Sequence, residues 1–254
     1  MTLLKVLLLL LGLGVSMNSH VSLHKRIIGG QNCDDKENLY HVRLKGNNGT
    51  HTSLCGGSLI HPEWILTAAH CWKSEPGWTT TAMFGVHPQN AKQEKQIIQH
   101  NPVIYVDQWH QQHDIMLLKL QRPVRNIGPA RLPRCNNRLR IAATVQLAGE
   151  GLTTTGPNNR RLIREPVPSH LQCVDMKVVA VFAMPTRQHV FFVEAPNKDS
   201  CFGDSGGGVS FKKKIYGVIS EIGEDYACRT PALIMDVCEY IGWINKTIRL
   251  KPQP

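Results

Sequence analysis

Residues Asp199-Ser200-Cys201-Phe202-Gly203-Asp204-Ser205-Gly206-Gly207 decide the reading of this chain. A serine set among glycines is positioned for backbone N–H groups to gather around an oxyanion. A serine hydroxyl is a poor nucleophile until an imidazole takes its proton, and the imidazole needs a carboxylate to fix its tautomer. Two stretches upstream supply such groups: Leu66-Thr67-Ala68-Ala69-His70-Cys71 and His113-Asp114-Ile115. Taken singly, each also reads as ordinary structure: a histidine beside a cysteine, an aspartate opening a strand, a glycine-rich tight turn.

The segment around Ser205 also satisfies Gly-x-Ser-x-Gly, the strand-to-helix elbow of α/β-hydrolases. Chain order separates the two readings. That fold needs its histidine after the serine, whereas the last histidine here is His189. The order His70, Asp114, Ser205 is that of the chymotrypsin type and differs from that of subtilisin.

With Arg26-Ile27-Ile28-Gly29-Gly30 and Asp114-Ile115-Met116-Leu117 added, the landmarks span nearly the whole chain and resemble the trypsin-like serine proteases. The resemblance implies an all-β fold of two packed six-stranded antiparallel β-barrels with a C-terminal helix, the barrels meeting at about residues 125–140. It implies His70 as general base, Asp114 as its orienting carboxylate and Ser205 as nucleophile, with the N–H groups of Gly203 and Ser205 as oxyanion hole. It implies a zymogen cut between Arg26 and Ile27, whose new ammonium pairs with Asp204. By the same resemblance Asp199 matches the position at the base of the specificity pocket, which implies cleavage after Arg or Lys through a charge-assisted pair.

Other pocket positions depart from the family pattern. Ser220-Glu221-Ile222-Gly223 replaces Ser-Trp-Gly, so Ile222 narrows the entrance if it lines the pocket. Ala232 stands for a glycine, Gly208 for a proline and Glu150 for a tryptophan. These departures motivate two rival expectations: a protease with a narrowed, non-tryptic pocket, and a secreted binding protein that keeps the fold with little turnover.

Outside these motifs the sequence is that of an extracellular globular protein. Lys5 followed by the apolar run Val6–Val15 has the order of a signal peptide, placed at residues 1–19, with an activation propeptide at 20–26 and the protease domain at 27–254. No later run is apolar enough to span a bilayer, so no membrane association is expected. Eight cysteines, all outside the leader, fit an oxidising compartment. Spacing leaves their connectivity open. The resemblance implies Cys33–Cys173, Cys55–Cys71, Cys135–Cys238 and Cys201–Cys228. A further bridge, usual in the family beside the pocket, is missing, with Phe192 near one of its positions.

The net charge of +10 falls to +7 without Lys5, Lys25 and Arg26, and the charges are scattered. Lys212-Lys213-Lys214 reads as a solvated loop, and no nucleic-acid partner is expected. Metal sites and cofactors are not implied either: Cys-x-x-Cys and His-Glu-x-x-His are absent, and Gly85–Glu94 holds one carboxylate where calcium needs several oxygens. Asn48-Gly49-Thr50 and Asn245-Lys246-Thr247 fit glycan acceptors. Expected partners are protein or peptide substrates, an activating protease and protein inhibitors of serine proteases, met by a monomer.

From Leu39 onward, short β-branched runs between turn residues predict strands, among them Tyr40–Leu44, Ile115–Leu120, Val178–Phe182 and Ile215–Ile219. The recurrence of Val237, Tyr240, Ile241, Ile244 and Ile248 after Asp236 predicts a helix over about 236–248.

Overall fold

The computed structural model describes residues 28–151, 158, 169–183, 188–201, 203–220 and 230–249. In chain order the strands are β1 (Gln31–Asn32), β2 (His41–Asn47), β3 (Thr52–His61), β4 (Trp64–Thr67), β5 (Thr79–Phe84), β6 (Glu94–Ile97) and β7 (Val103–Val106). They continue with β8 (Gln112–Lys119), β9 (Thr144–Gly149), β10 (Gln172–Ala183), β11 (His189–Glu194), β12 (Gly208–Phe211), β13 (Lys214–Ile219) and β14 (Ala232–Asp236). Helix α1 (Val237–Arg249) follows.

The strands form two antiparallel sheets. One runs β6-β5-β2-β3-β4-β8-β7; the other runs β1-β10-β11-β14-β13-β12-β9, and β9 pairs back onto β10. That return closes six strands into a barrel and leaves β1 outside it, held to β10 through Gln31↔Cys173. The predicted all-β fold with a terminal helix is therefore present.

The local choices follow the sequence. β5 buries every second residue, as a strand with one face on the core does. β13 is buried from Ile215 through Ile219 because it lies between β12 and β14 in the closed barrel. Gly217 faces Phe191 there: a Cβ would stand 2.7 Å from the Phe191 ring and 2.3 Å from Ile234 Cγ2, so glycine makes room for the aromatic. β2 extends past the expected Leu44 to Asn47, because β3 and β5 pair with it on both sides, and the turn begins at Asn48. Asp236 Oδ1 accepts the Cys238 N–H at 3.0 Å and caps α1 as expected.

A shared core joins the halves: Leu59, Ile65, Phe84 and Leu117 of the first sheet pack in one cluster with Ile215, Met235 and Tyr240 of the second half. A separate cluster fills the barrel, with Leu147, Met176, Phe191, Val209 and Ile234. Three of the four expected disulfides are formed, Cys33–Cys173, Cys55–Cys71 and Cys135–Cys238. Cys201 is buried, and Cys228 lies outside the described residues.

Candidate active site

The short 3-10 turn Ala69–Cys71 follows β4 and carries His70, while Asp114 sits in the neighbouring β8. Their side chains meet, with His70 Nδ1 2.9 Å from Asp114 Oδ2. The second carboxylate oxygen accepts the His70 backbone N–H at 2.9 Å, so one aspartate fixes both the ring and the turn that bears it. An ionised carboxylate only accepts hydrogen bonds, which assigns the ring proton to Nδ1 and leaves Nε2 as the basic nitrogen. Burial alone pushes the Asp114 carboxyl up, but the hydrogen bonds and charge of His70, with the Ser220 hydroxyl, outweigh it and hold the pKa below the usual range.

Ser220 was expected only as a pocket-strand residue. Its hydroxyl donates to Asp114 Oδ2, so a serine following β13 completes the carboxylate's shell. The Asp114 N–H in turn donates to Gln188 Oε1 at 3.0 Å. No local sequence signal announces the Ser220 contact, because it joins residues of opposite halves.

Ser205 lies in the turn before β12 and is buried. Its carbonyl accepts the Gly56 N–H of β3 at 2.8 Å, which fastens this turn of the second half to the first sheet. The Cys71 sulfur lies 3.7 Å from the same carbonyl and 3.9 Å from His70 Nε2. The structure thus brings His70, Asp114 and the Ser205 backbone together around the Cys55–Cys71 bridge. Gly206 has φ of 80°, and a Cβ there would stand 2.4 Å from Gly56 O, so only glycine fits between the serine and β3.

Asp204 points inward and is fully buried. Its Oδ2 accepts the Cys201 N–H at 2.8 Å and its Oδ1 the Gly151 N–H at 2.7 Å. Desolvation pushes its pKa up to about 7; the two backbone hydrogen bonds oppose that shift, while the charges of Asp199 and Glu150 add to it. Gly149 and Gly151 cradle the carboxylate so closely that a Cβ on either would stand 2.0 and 2.5 Å from it.

Asp199 is also buried, and its N–H donates to the Ile28 carbonyl at 3.1 Å. It borders a cavity of about 400 Å³ together with Thr230, Pro231 and Ala232. Arg26, Ile27, Glu221 and Ile222 lie outside the described residues. Near the missing bridge, Phe182 and Phe192 stack with ring centroids 5.1 Å apart, so an aromatic pair ties β10 to β11 there. Among the described residues the one cluster of metal-ligand types is Cys55, His70 and Cys71, and its two cysteines are bridged to each other and offer no thiolate.

A family model described as Trypsin matches residues 27–244. The chain belongs to the trypsin family. Serine protease 1 of Rattus norvegicus is 32% identical over 95% of this chain and 98% of its own length. Trypsin of Sus scrofa is 30% identical over 88% of this chain and 96% of its own. Among solved structures, neuropsin of mouse brain superposes with a TM-score of 0.69 at 24% identity, covering 86% of this chain and 98% of its own. A structure of GrC gives 0.72 at 25%, covering 88% and 100%. This trypsin-family member is a serine endopeptidase, and among its described residues no helix is long and apolar enough to cross a membrane.

Proposed function

We propose that the protein is a secreted endopeptidase, activated by cleavage after Arg26, that cuts peptide bonds after Arg or Lys using Ser205, His70 and Asp114. The observation that carries this reading is the His70–Asp114 pair, whose 2.9 Å contact leaves Nε2 as the basic nitrogen, 3.9 Å from the Cys71 sulfur that itself lies 3.7 Å from the Ser205 carbonyl. In the first step His70 Nε2 takes the Ser205 Oγ proton as that oxygen bonds to the scissile carbonyl carbon. The negative charge moves to the carbonyl oxygen. Gly203 and Ser205 N–H groups receive it; among the described residues neither is engaged by a backbone carbonyl in the surrounding turn. His70 then gives its proton to the departing amine as the C–N bond breaks, leaving an ester on Ser205. Water repeats the sequence, releases the acid and restores the hydroxyl.

The preference for basic residues rests on Asp199, a buried carboxylate at the edge of a cavity. Ala232, one methyl larger than the family's glycine, motivates a narrower pocket as second reading. Activation rests on Asp204. Among the described residues it has backbone donors and no cation, and the chain enters the described region at Ile28, bonded to Asp199 five residues before it. An ammonium on residue 27 supplies the missing charge. Secretion rests on the leader-like N-terminus and the three disulfides; glycans on Asn48 and Asn245, protein inhibitors as partners and a monomeric state belong to the same proposal.

The test is hydrolysis of a peptide library by protein cut after Arg26, with Ser205→Ala alongside. Cleavage after Arg or Lys that vanishes in the variant upholds the reading. Cleavage after other residues transfers specificity to the narrowed pocket. No cleavage by correctly cut protein overturns the catalytic assignment and leaves a binding protein.

A further inference from the structure

Glu150 stands where the family pattern has a tryptophan, and it is 3% exposed. A buried carboxylate without partners is strongly disfavoured. This one is met by a guanidinium from the opposite half: Arg43 of β2 donates from Nε to Oε2 at 2.7 Å and from its terminal nitrogen to Oε1 at 2.5 Å. The two parallel bonds form a planar fork that fixes direction as well as distance. Burial pushes the Glu150 carboxyl up, yet Arg43 and the neighbouring His41 outweigh it and hold it down at about 2. His41 Nε2 stands 3.7 Å away, beyond hydrogen-bond reach.

The segment that Arg43 grips touches the reacting loop twice. The Gly151 N–H, one residue on, holds Asp204 at 2.7 Å. Gly203, with φ of 103°, presses on the same segment: a Cβ there would stand 3.1 Å from Gly151 Cα and 3.6 Å from the Glu150 carbonyl. Gly149 is the last residue of β9, paired with Gln172 of β10, so the hold of the strand ladder on this stretch ends there. The anchor beyond that point is Glu150, and the anchor's partner lies on the other sheet.

We propose that Arg43 and Glu150 are positioning residues for the oxyanion hole. Their fork clamps residues 150–151, the stretch just beyond β9, across the two halves, and that segment sets where Asp204 and the Gly203 N–H sit. The proposal rests on the oxyanion-hole role given above to Gly203 and Ser205.

Two variants test it in the full chain cut after Arg26. Glu150→Gln keeps the shape and removes the charge. Arg43→Met with Glu150→Leu removes fork and charges together; exchanging a buried ion pair for apolar groups of similar volume is often neutral for stability, so this variant guards against simple misfolding. Rates are expressed per active site titrated with a fluorophosphonate. Loss of one oxyanion donor lowers kcat by about 10²–10³-fold, so a displaced donor is expected to lower it about tenfold or more in both variants, with KM for an arginine peptide unchanged within about twofold. Hydrogen exchange at the Gly151 amide is expected to quicken about tenfold or more while β13 amides keep their protection. A double variant with parental kcat per site and parental Gly151 exchange overturns the proposal. If the parent cleaves nothing, the proposed catalytic role fails separately, and Gly151 exchange alone still decides the clamp.

Discussion

Cleavage after Arg26 should change how stability depends on pH, and Asp204 gives the size of the effect. In the uncut chain this carboxyl is fully buried and its pKa rises from 3.8 to about 7. A raised pKa means that the folded chain keeps a proton the unfolded chain releases. The associated stability is fully present below about pH 4 and is lost as pH rises toward 7. At about 1.36 kcal/mol per unit, the whole loss is about 4 kcal/mol, of which about 2.5 kcal/mol falls between pH 5 and pH 8. An ammonium on Ile27, created by the cut, stabilises the ionised carboxylate and removes that slope. The assay is urea unfolding of Ser205→Ala protein, cut and uncut, at pH 5 and pH 8, each repeated with Asp204→Asn to subtract the histidines. The uncut parent is expected to lose about 2.5 kcal/mol more than uncut Asp204→Asn, and cutting to abolish the difference. If the uncut parent and uncut Asp204→Asn share one pH dependence, or if cutting shifts both alike, the charge-pairing account of activation is refuted.

Three further outcomes are expected. Asp114→Asn keeps the local shape but favours the wrong His70 tautomer, so kcat should fall by about 10⁴-fold with KM little changed, measured on an arginine ester. Tyr240→Phe removes the hydroxyl that bonds His113 Nδ1 at 2.9 Å and accepts the His189 N–H at 3.2 Å; calorimetry should show about 1 kcal/mol of destabilisation with catalysis near parental. Replacing Cys135 and Cys238 by alanine opens a loop of 103 residues, and chemical unfolding should show a loss of about 4 kcal/mol.

Much of the molecule was legible in the sequence wherever the cause is local. Asp236 announces α1 because capping and the apolar stripe lie within a few residues of each other, and the helix begins one residue after it. The strand runs at Ile115–Leu120 and Ile215–Ile219 fall in β8, except for Leu120 just past its end, and in β13, because continuous apolar stretches of that length suit buried strands. The His70–Asp114 meeting and three disulfides were legible through family resemblance, since spacing alone leaves such pairings open. What escaped the sequence joins distant residues without a local mark. Ser220 reaches Asp114 across 106 positions, and Arg43 reaches Glu150 across 107. Read by itself, Glu150 weakens the case for an enzyme; with Arg43 in contact it is a satisfied buried ion with a place in the architecture.

The small strand β1 has a consequence for activation kinetics. It precedes the whole first sheet in the chain yet pairs with β10 of the barrel, and Cys33 is bonded there to Cys173. A terminus freed at Ile27 therefore stays leashed six residues from a covalent anchor, within a reach of about 20 Å. Confinement of that order corresponds to a millimolar effective concentration, independent of how dilute the protein is. Docking of a terminus freed there is thus a unimolecular event, and once the cut is made it should proceed at the same rate at any protein concentration.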